Sequence, residues 1–188
     1  MSDRLARLFA RIDEANAHDT ATQGGQAAAM LYGRRMTEAL DGFEPSASEA
    51  LKIAARGQHI ERWLRPRANY PEGREGYLAW RRDAAAYHAA RIEELMRETG
   101  YGPGMCNRVA SLMLKKNFKT DTEAQTLEDV ACLVFFRWYA GAFAQKHDAA
   151  KILAIVSKTA RKMSSRGRAA TAALSLPPEI SAALAETR

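Results

Sequence analysis

Four histidines, His18, His59, His88 and His147, are the side chains of this sequence best suited to proton transfer or metal ligation near neutral pH. None sits in an HxxxH or HExxH frame, so a metal or acid–base site has to be gathered from several helices. His59 and His88 stand out because each falls in a stretch that reads as a core helix. The plainer role for each is a hydrogen-bonded packing residue. Glu128 and Asp129 lie just ahead of the most apolar run of the chain, where a helix dipole alone is reason enough for carboxylates. Should they face the histidines, imidazole plus carboxylate is the usual ligand set for a divalent metal that activates water.

Charge points to an anionic partner. The chain of 188 residues carries 28 Lys+Arg against 22 Asp+Glu, a net charge of +6 that is modest for a dedicated nucleic-acid binder. Its distribution is uneven. No acid occurs between Asp148 and Glu179, whereas Lys151, Lys158, Arg161, Lys162, Arg166 and Arg168 all do. From Tyr32 to Arg82 there are nine arginines and one lysine. Arginine is the side chain suited to planar, bidentate contact with phosphate or carboxylate. A solvated surface is the competing account. Cys106 and Cys132 lack a CxxC arrangement and read as buried, reduced thiols.

These residues must be positioned by helices. Hydrophobic residues make up 47% and charged residues 27% of the chain, the balance of one globular domain over residues 1–188. Leu5, Leu8, Phe9 and Ile12 recur at helical spacing behind Ser2, and a second helix is predicted from about Ala27 to Leu40. Ser46 with Glu49, and Thr120 with Glu123, have capping-box spacing. A long helix is predicted from about Arg74 to Thr99, and another from Pro103 to about Asn117. The run Val130 to Phe136 reads as a buried central helix; Asp148, Ser165 and Pro177 introduce further ones. No period-two alternation persists, so the expectation is an all-α fold of about eight helices. No apolar run is long enough to span a membrane, and no signal-peptide layout follows Met1, so the expected location is cytoplasmic.

Several segments resemble the domain-of-unknown-function family numbered 4202: Leu31 to Met36, Gln58 to Trp63, Tyr77 to Arg81, Glu123 to Phe135, Lys146 to Asp148 and Lys162 to Ser164. More distantly, Ile53 to Ile60 and Leu127 to Leu133 are similar to the ligand-bearing helices of the HD superfamily of metal-dependent phosphohydrolases. That resemblance implies an HD-like arrangement with a depleted ligand set. Tyr32 stands where the first ligand His is expected, Gln58-His59 replaces His-Asp, and Ala131 leaves Asp129 as the remaining acidic ligand. What it implies is one divalent metal on His59, His88 and Asp129, or a metal-free pocket. In that pocket Arg35, Arg62 and Arg81 hold an anion, while Tyr32 and Gln58 supply neutral hydrogen bonds.

Two further motifs point elsewhere. Lys162-Met163-Ser164-Ser165-Arg166 resembles the mobile loop of class I aminoacyl-tRNA synthetases, but the parallel sheet that chemistry requires is missing from the pattern. A basic helix end followed by a Ser cap explains the same residues. Trp63, Tyr70, Tyr77 and Trp80 are threaded among Arg62, Arg65, Arg67, Arg74, Arg81 and Arg82, a mixture that can stack bases and neutralise phosphates. The expected function is therefore an HD-related protein that binds or hydrolyses a phosphorylated small molecule or nucleotide. His59, His88, Asp129 and Glu128 are its acid–base candidates. An RNA- or tRNA-binding module, or a structural partner protein, is the alternative.

Overall fold

Short polar side chains set most of the helix starts. In the computed structural model, which describes residues 2–116, 118 and 120–187, helix α1 (Asp3–Ala17) begins where Ser2 Oγ accepts the Leu5 N–H at 3.3 Å. A two-residue ladder follows, Thr22–Gln23 against Gln26–Ala27, closed by Gly24 and Gly25 at φ +58° and +77°. Two consecutive residues of positive φ make the tight turn that glycine pairs favour. This ladder is the strand content of the described residues, and the fold is all-α.

Helices α2 (Ala28–Phe43) and α3 (Glu49–Gly57) come next. The cap of α3 is Ser48, whose Oγ accepts from Leu51 N at 3.1 Å, rather than the predicted Ser46, which turns back to Glu44. Two 3-10 turns, Arg62–Leu64 and Arg67–Asn69, cross the Arg-rich loop to α4 (Gly73–Glu98). That long helix stops at Gly100, φ +85°, where Tyr101 N–H reaches back to the Met96 carbonyl at 2.9 Å. Helix α5 (Pro103–Met113) ends earlier than predicted because Lys115 adopts a left-handed φ of +55°. The expected end at Asn117 lies outside the described residues.

Asp121, not Thr120, caps α6 (Thr122–Val134), accepting from Glu123 N and Ala124 N. The apolar run is helical, but not continuously. One turn of π-helix, Phe135–Tyr139, separates α6 from α7 (Ala140–Ala144), and such insertions rotate the side chains that follow. Asp148 caps α8 (Ala149–Ala160), Ser164 caps α9 (Ser165–Ala170), and α10 (Pro178–Ala185) closes the chain.

Helix α6 is central, packing against α2, α3, α5 and α9, while α8 packs on α10 and α4 on α5. Its buried side chains serve two cores. Leu127, Val130 and Val134 join Leu8, Ile12, Met36, Leu51, Ile53 and Ile92 in the larger one. Cys132, Leu133 and Phe136 join Ile152, Val156 and Ile180 in the smaller. Between these two faces of α6, Glu128 and Asp129 are buried as well, which is where the site begins. No helix of the described residues is long and apolar enough to cross a membrane.

Candidate functional site

Helix α3 ends on Gly57, against which Ile92 of α4 packs: a Cβ there would stand 2.3 Å from Ile92 Cδ1, so any larger residue would displace that side chain. The chain then leaves the helix, and His59 sits on the turn after α3 rather than within it. Glu61 reverses the direction at φ +50°, an expensive conformation for a residue with a Cβ. Three bonds hold it there: its N–H donates to Asn16 Oδ1 at 2.9 Å, and its carboxylate accepts from Tyr87 Oη at 2.6 Å and from Arg91. This reversal returns Arg62 over the preceding turn, where Nη1 meets His59 Nε2 at 2.9 Å.

A cleft of ≈ 830 Å³ opens beside this turn. Tyr32 of α2 stacks on His59 with ring centroids 4.4 Å apart, and its hydroxyl donates to Gln58 Oε1 at 3.3 Å. The π turn contributes Phe135 and Tyr139 to the wall, and the 3-10 loop contributes Trp63. Trp80 of α4 anchors that loop by donating its indole N–H to the Arg65 carbonyl at 2.8 Å.

A smaller chamber of ≈ 60 Å³ shares Gln58, His59, Arg62, Trp80, Arg81 and Lys115 with the cleft. His88 of α4 lines this chamber and not the cleft. That side chain is 2% exposed, and neither ring nitrogen makes a hydrogen bond of normal geometry. The Ile60 backbone lies near enough to favour its charged form somewhat, but burial dominates and brings the pKa down to about 4. His59 is pushed well below the usual imidazole range by burial, and then by Arg62, His88, Arg81 and Lys115. Both imidazoles are neutral at pH 7.

Glu128 faces the cleft from α6. Its carboxylate is clamped by Lys115 Nζ on one side and Lys162 Nζ, 3.6 Å away, on the other. Burial raises its pKa, but Lys115, Lys162 and Arg81 outweigh that effect and hold it below the usual value. Cys132, on the same wall, has its thiol pushed up to about 12 by burial and by Glu128, so no thiolate nucleophile forms there.

The side chains singled out from the sequence are only partly gathered. Tyr32, Gln58, His59, Arg62, Arg81 and Glu128 line the cleft, and His88 lines the chamber behind it. Arg35 stops at the rim, where it donates to Gln23 Oε1 at 2.8 Å and lies over the Tyr139 ring. Asp129 turns to α9. Its Oδ1 accepts from Ser164 N at 2.8 Å and Gln125 Nε2 at 3.0 Å, and its Oδ2 from Ser164 Oγ. A Cβ on Gly167 would be 2.6 Å from its carboxyl carbon, so helix backbone closes over it. Among the described residues no three His, Cys, Asp or Glu side chains are placed to hold a metal ion. The trio His59, His88 and Asp129 does not fit one: Asp129 is engaged elsewhere, and Nε2 of His59 already accepts from Arg62.

Lys162 to Arg166 is a cap rather than a phosphate loop. Ser164 closes α9, Met163 is buried, and Arg166 bonds Glu44 and the Phe43 carbonyl. The arginines of the aromatic loop lie largely against protein rings: Arg62 over Trp80, Arg65 over Tyr87 and Arg81 over Tyr77. Of two further cations of the site, Lys115 carries no sequence signal for its role, and Lys162 is marked in sequence only as a member of the basic run after Asp148. Lys115 arrives through its left-handed helix ending, and Lys162 through the Asp129–Ser164 contact that draws the end of α8 against α6.

Residues 6–184 match a family described as Domain of unknown function (DUF4202). No curated protein and no solved structure matches the chain.

Proposed function

We propose a function from the premise that the chain belongs to the DUF4202 family: the cleft binds a phosphorylated small molecule that carries a planar ring, as a nucleotide does. The observation behind this reading is the lining of one cleft, which combines aromatic side chains, Tyr32, Trp63, Phe135 and Tyr139, with the cations Arg62, Arg81, Lys115 and Lys162. Ligand pockets of this size are usually apolar walls with a few convergent polar groups. Cations brought together in a partly dry site repel one another until an anion enters. Neutral His59 and the clamped Glu128 are the groups available for proton transfer if the bound molecule is also turned over.

A thermal-shift series with nucleotides and other phosphorylated ring compounds tests this. Ligand at about 100 times its Kd adds about 2.7 kcal/mol of stability, or roughly 5–10 °C in Tm for a chain of this size. Such a shift should disappear in Arg62→Gln. A flat series across these ligands overturns the reading. Binding of single-stranded RNA that weakens steeply with salt, and that is lost when Lys151 and Lys158 are neutralised, would favour an RNA module instead.

A further inference from the structure

We infer that the small chamber behind His59 seats one phosphoryl group, so the ligand of the cleft is a monophosphate ester rather than a polyphosphate. This rests on the reading above and goes further, naming the substrate class and the orientation. Size comes first. A water needs about 10–15 Å³ of such space, so ≈ 60 Å³ takes roughly four or five water-sized groups, about the oxygens of a single phosphoryl. A second phosphoryl does not fit within the chamber and would have to lie in the cleft.

Charge gives the same count. Arg62, Arg81 and Lys115 line the chamber, and no carboxylate does. Lys115 is neutralised from outside by Glu128. Among the described residues Arg62 and Arg81 have no acidic partner; the first donates to His59 and the second to the Tyr77 hydroxyl. Glu128 is shared among Lys115, Lys162 and, at longer range, Arg81, so the chamber keeps a surplus of positive charge that favours the dianion of a phosphate monoester over the single charge of a diester.

The third observation is His88, a lining residue of the chamber whose buried ring nitrogens make no hydrogen bond of normal geometry. A buried polar group without a partner costs about 1–3 kcal/mol, and most such groups in folded proteins are paired. Both nitrogens lie off the chamber surface in this structure, so a turn of the ring brings the imidazole N–H to a phosphoryl oxygen as its acceptor. Gln58 turns its Oε1 toward Tyr32, leaving its amide N–H groups as the donors for the same anion. The rest of the molecule then lies outward against Tyr32, Phe135 and Tyr139.

Calorimetric titration with adenosine, guanosine, cytidine and uridine, each as nucleoside, 5′-monophosphate and 5′-triphosphate, tests the assignment on the full chain. At least one monophosphate should bind about tenfold or more tighter than its nucleoside and no weaker than its triphosphate. Arg81, exposed at the chamber mouth, provides a variant that should fold: R81Q should weaken the monophosphate about tenfold and leave the nucleoside unchanged. Inorganic phosphate should move the ring ¹⁵N resonances of His88. A triphosphate that outbinds every monophosphate, or a His88 ring unmoved at saturating phosphate, overturns the single-phosphoryl seat while leaving the cleft a nucleotide site. Absence of binding by all twelve compounds overturns both readings together.

Discussion

Arg62 donates through Nη1 to Nε2 of His59 across 2.9 Å. A guanidinium has no acceptor, so this bond fixes His59 as the neutral tautomer with its proton on Nδ1. Burial is the largest force keeping that ring uncharged, and the neighbouring cation is the next. In R62Q the imidazole should therefore titrate at higher pH than in the parent chain, while staying below the usual range because the burial remains. A ¹⁵N-detected histidine titration of both proteins reads the difference. An unchanged His59 midpoint would remove Arg62 from control of the ring.

Asp129 is expected to act as a staple. Its carboxylate collects the Ser164 N–H, the Ser164 hydroxyl and the Gln125 amide in a place 2% exposed to solvent. Asp129→Ala leaves the Ser164 N–H and hydroxyl without this acceptor, while the Gln125 amide keeps the Lys162 carbonyl, and should cost about 1–3 kcal/mol in urea unfolding. Gly167→Ala should cost about 1–3 kcal/mol in the parent chain, since its Cβ is forced against the carboxyl group, and much less when Asp129 is already Ala. Additive losses would show that the two residues do not share the contact. Affinity for phosphorylated ligands should fall in D129A only as far as Lys162, which the Asp129–Ser164 contact holds at the cleft, contributes to it.

His88 makes stability fall in acid. Its pKa is about 4 in the folded chain, lowered by burial, against about 6.5 when unfolded. Above pH 6.5 both states hold it neutral and it contributes no pH dependence. As pH drops through that value the unfolded chain takes up a proton that the folded chain refuses. Stability is lost down to about pH 4 and is then flat. At pH 5 the loss from His88 amounts to roughly 2 kcal/mol, with His59 adding to it in the same direction. Urea midpoints at pH 7.5 and 5 measure the slope, and H88M should flatten it. An equally steep slope in that variant would assign the acid sensitivity to other groups.

Periodicity and capping made the helical class legible, because Leu5, Leu8 and Ile12, or Ile152 and Val156, repeat wherever a buried stripe must face a core. Capping spacing was less exact. Two candidates of similar chemistry lie within two residues at Ser46/Ser48 and at Thr120/Asp121, and the backbone entering the helix decides between them. The π turn at Phe135–Tyr139 leaves no mark in composition, since every residue of it belongs equally well in an α-helix. In the site, the aromatic and arginine members were visible as types with unusual density. Lys115 was not, and Lys162 showed only as one of several basic residues after Asp148, because long-range packing positions both. The adjacent pair Glu128 and Asp129 shows the same limit: successive residues of a helix point about 100° apart, and only the neighbours of α6 determine which one meets the cleft.

Glu128 separates binding from chemistry. Its charge opposes an incoming anion while neutralising Lys115 and Lys162. Glu128→Gln keeps the shape and removes the charge, so two cations lose their counter-ion and the folded chain should lose about 1–3 kcal/mol of stability. The same change should tighten phosphate-ester binding by on the order of tenfold or more, since it removes a negative charge that repels an incoming dianion. Calorimetry with the tightest monophosphate, at low salt to limit screening, checks the sign. If the cleft also hydrolyses its ligand through Glu128, E128Q should bind more tightly yet turn over far more slowly. Weaker binding in E128Q would mean that the carboxylate contacts the ligand as an acceptor, and the cationic part of the cleft would then belong to the sugar rather than the phosphate.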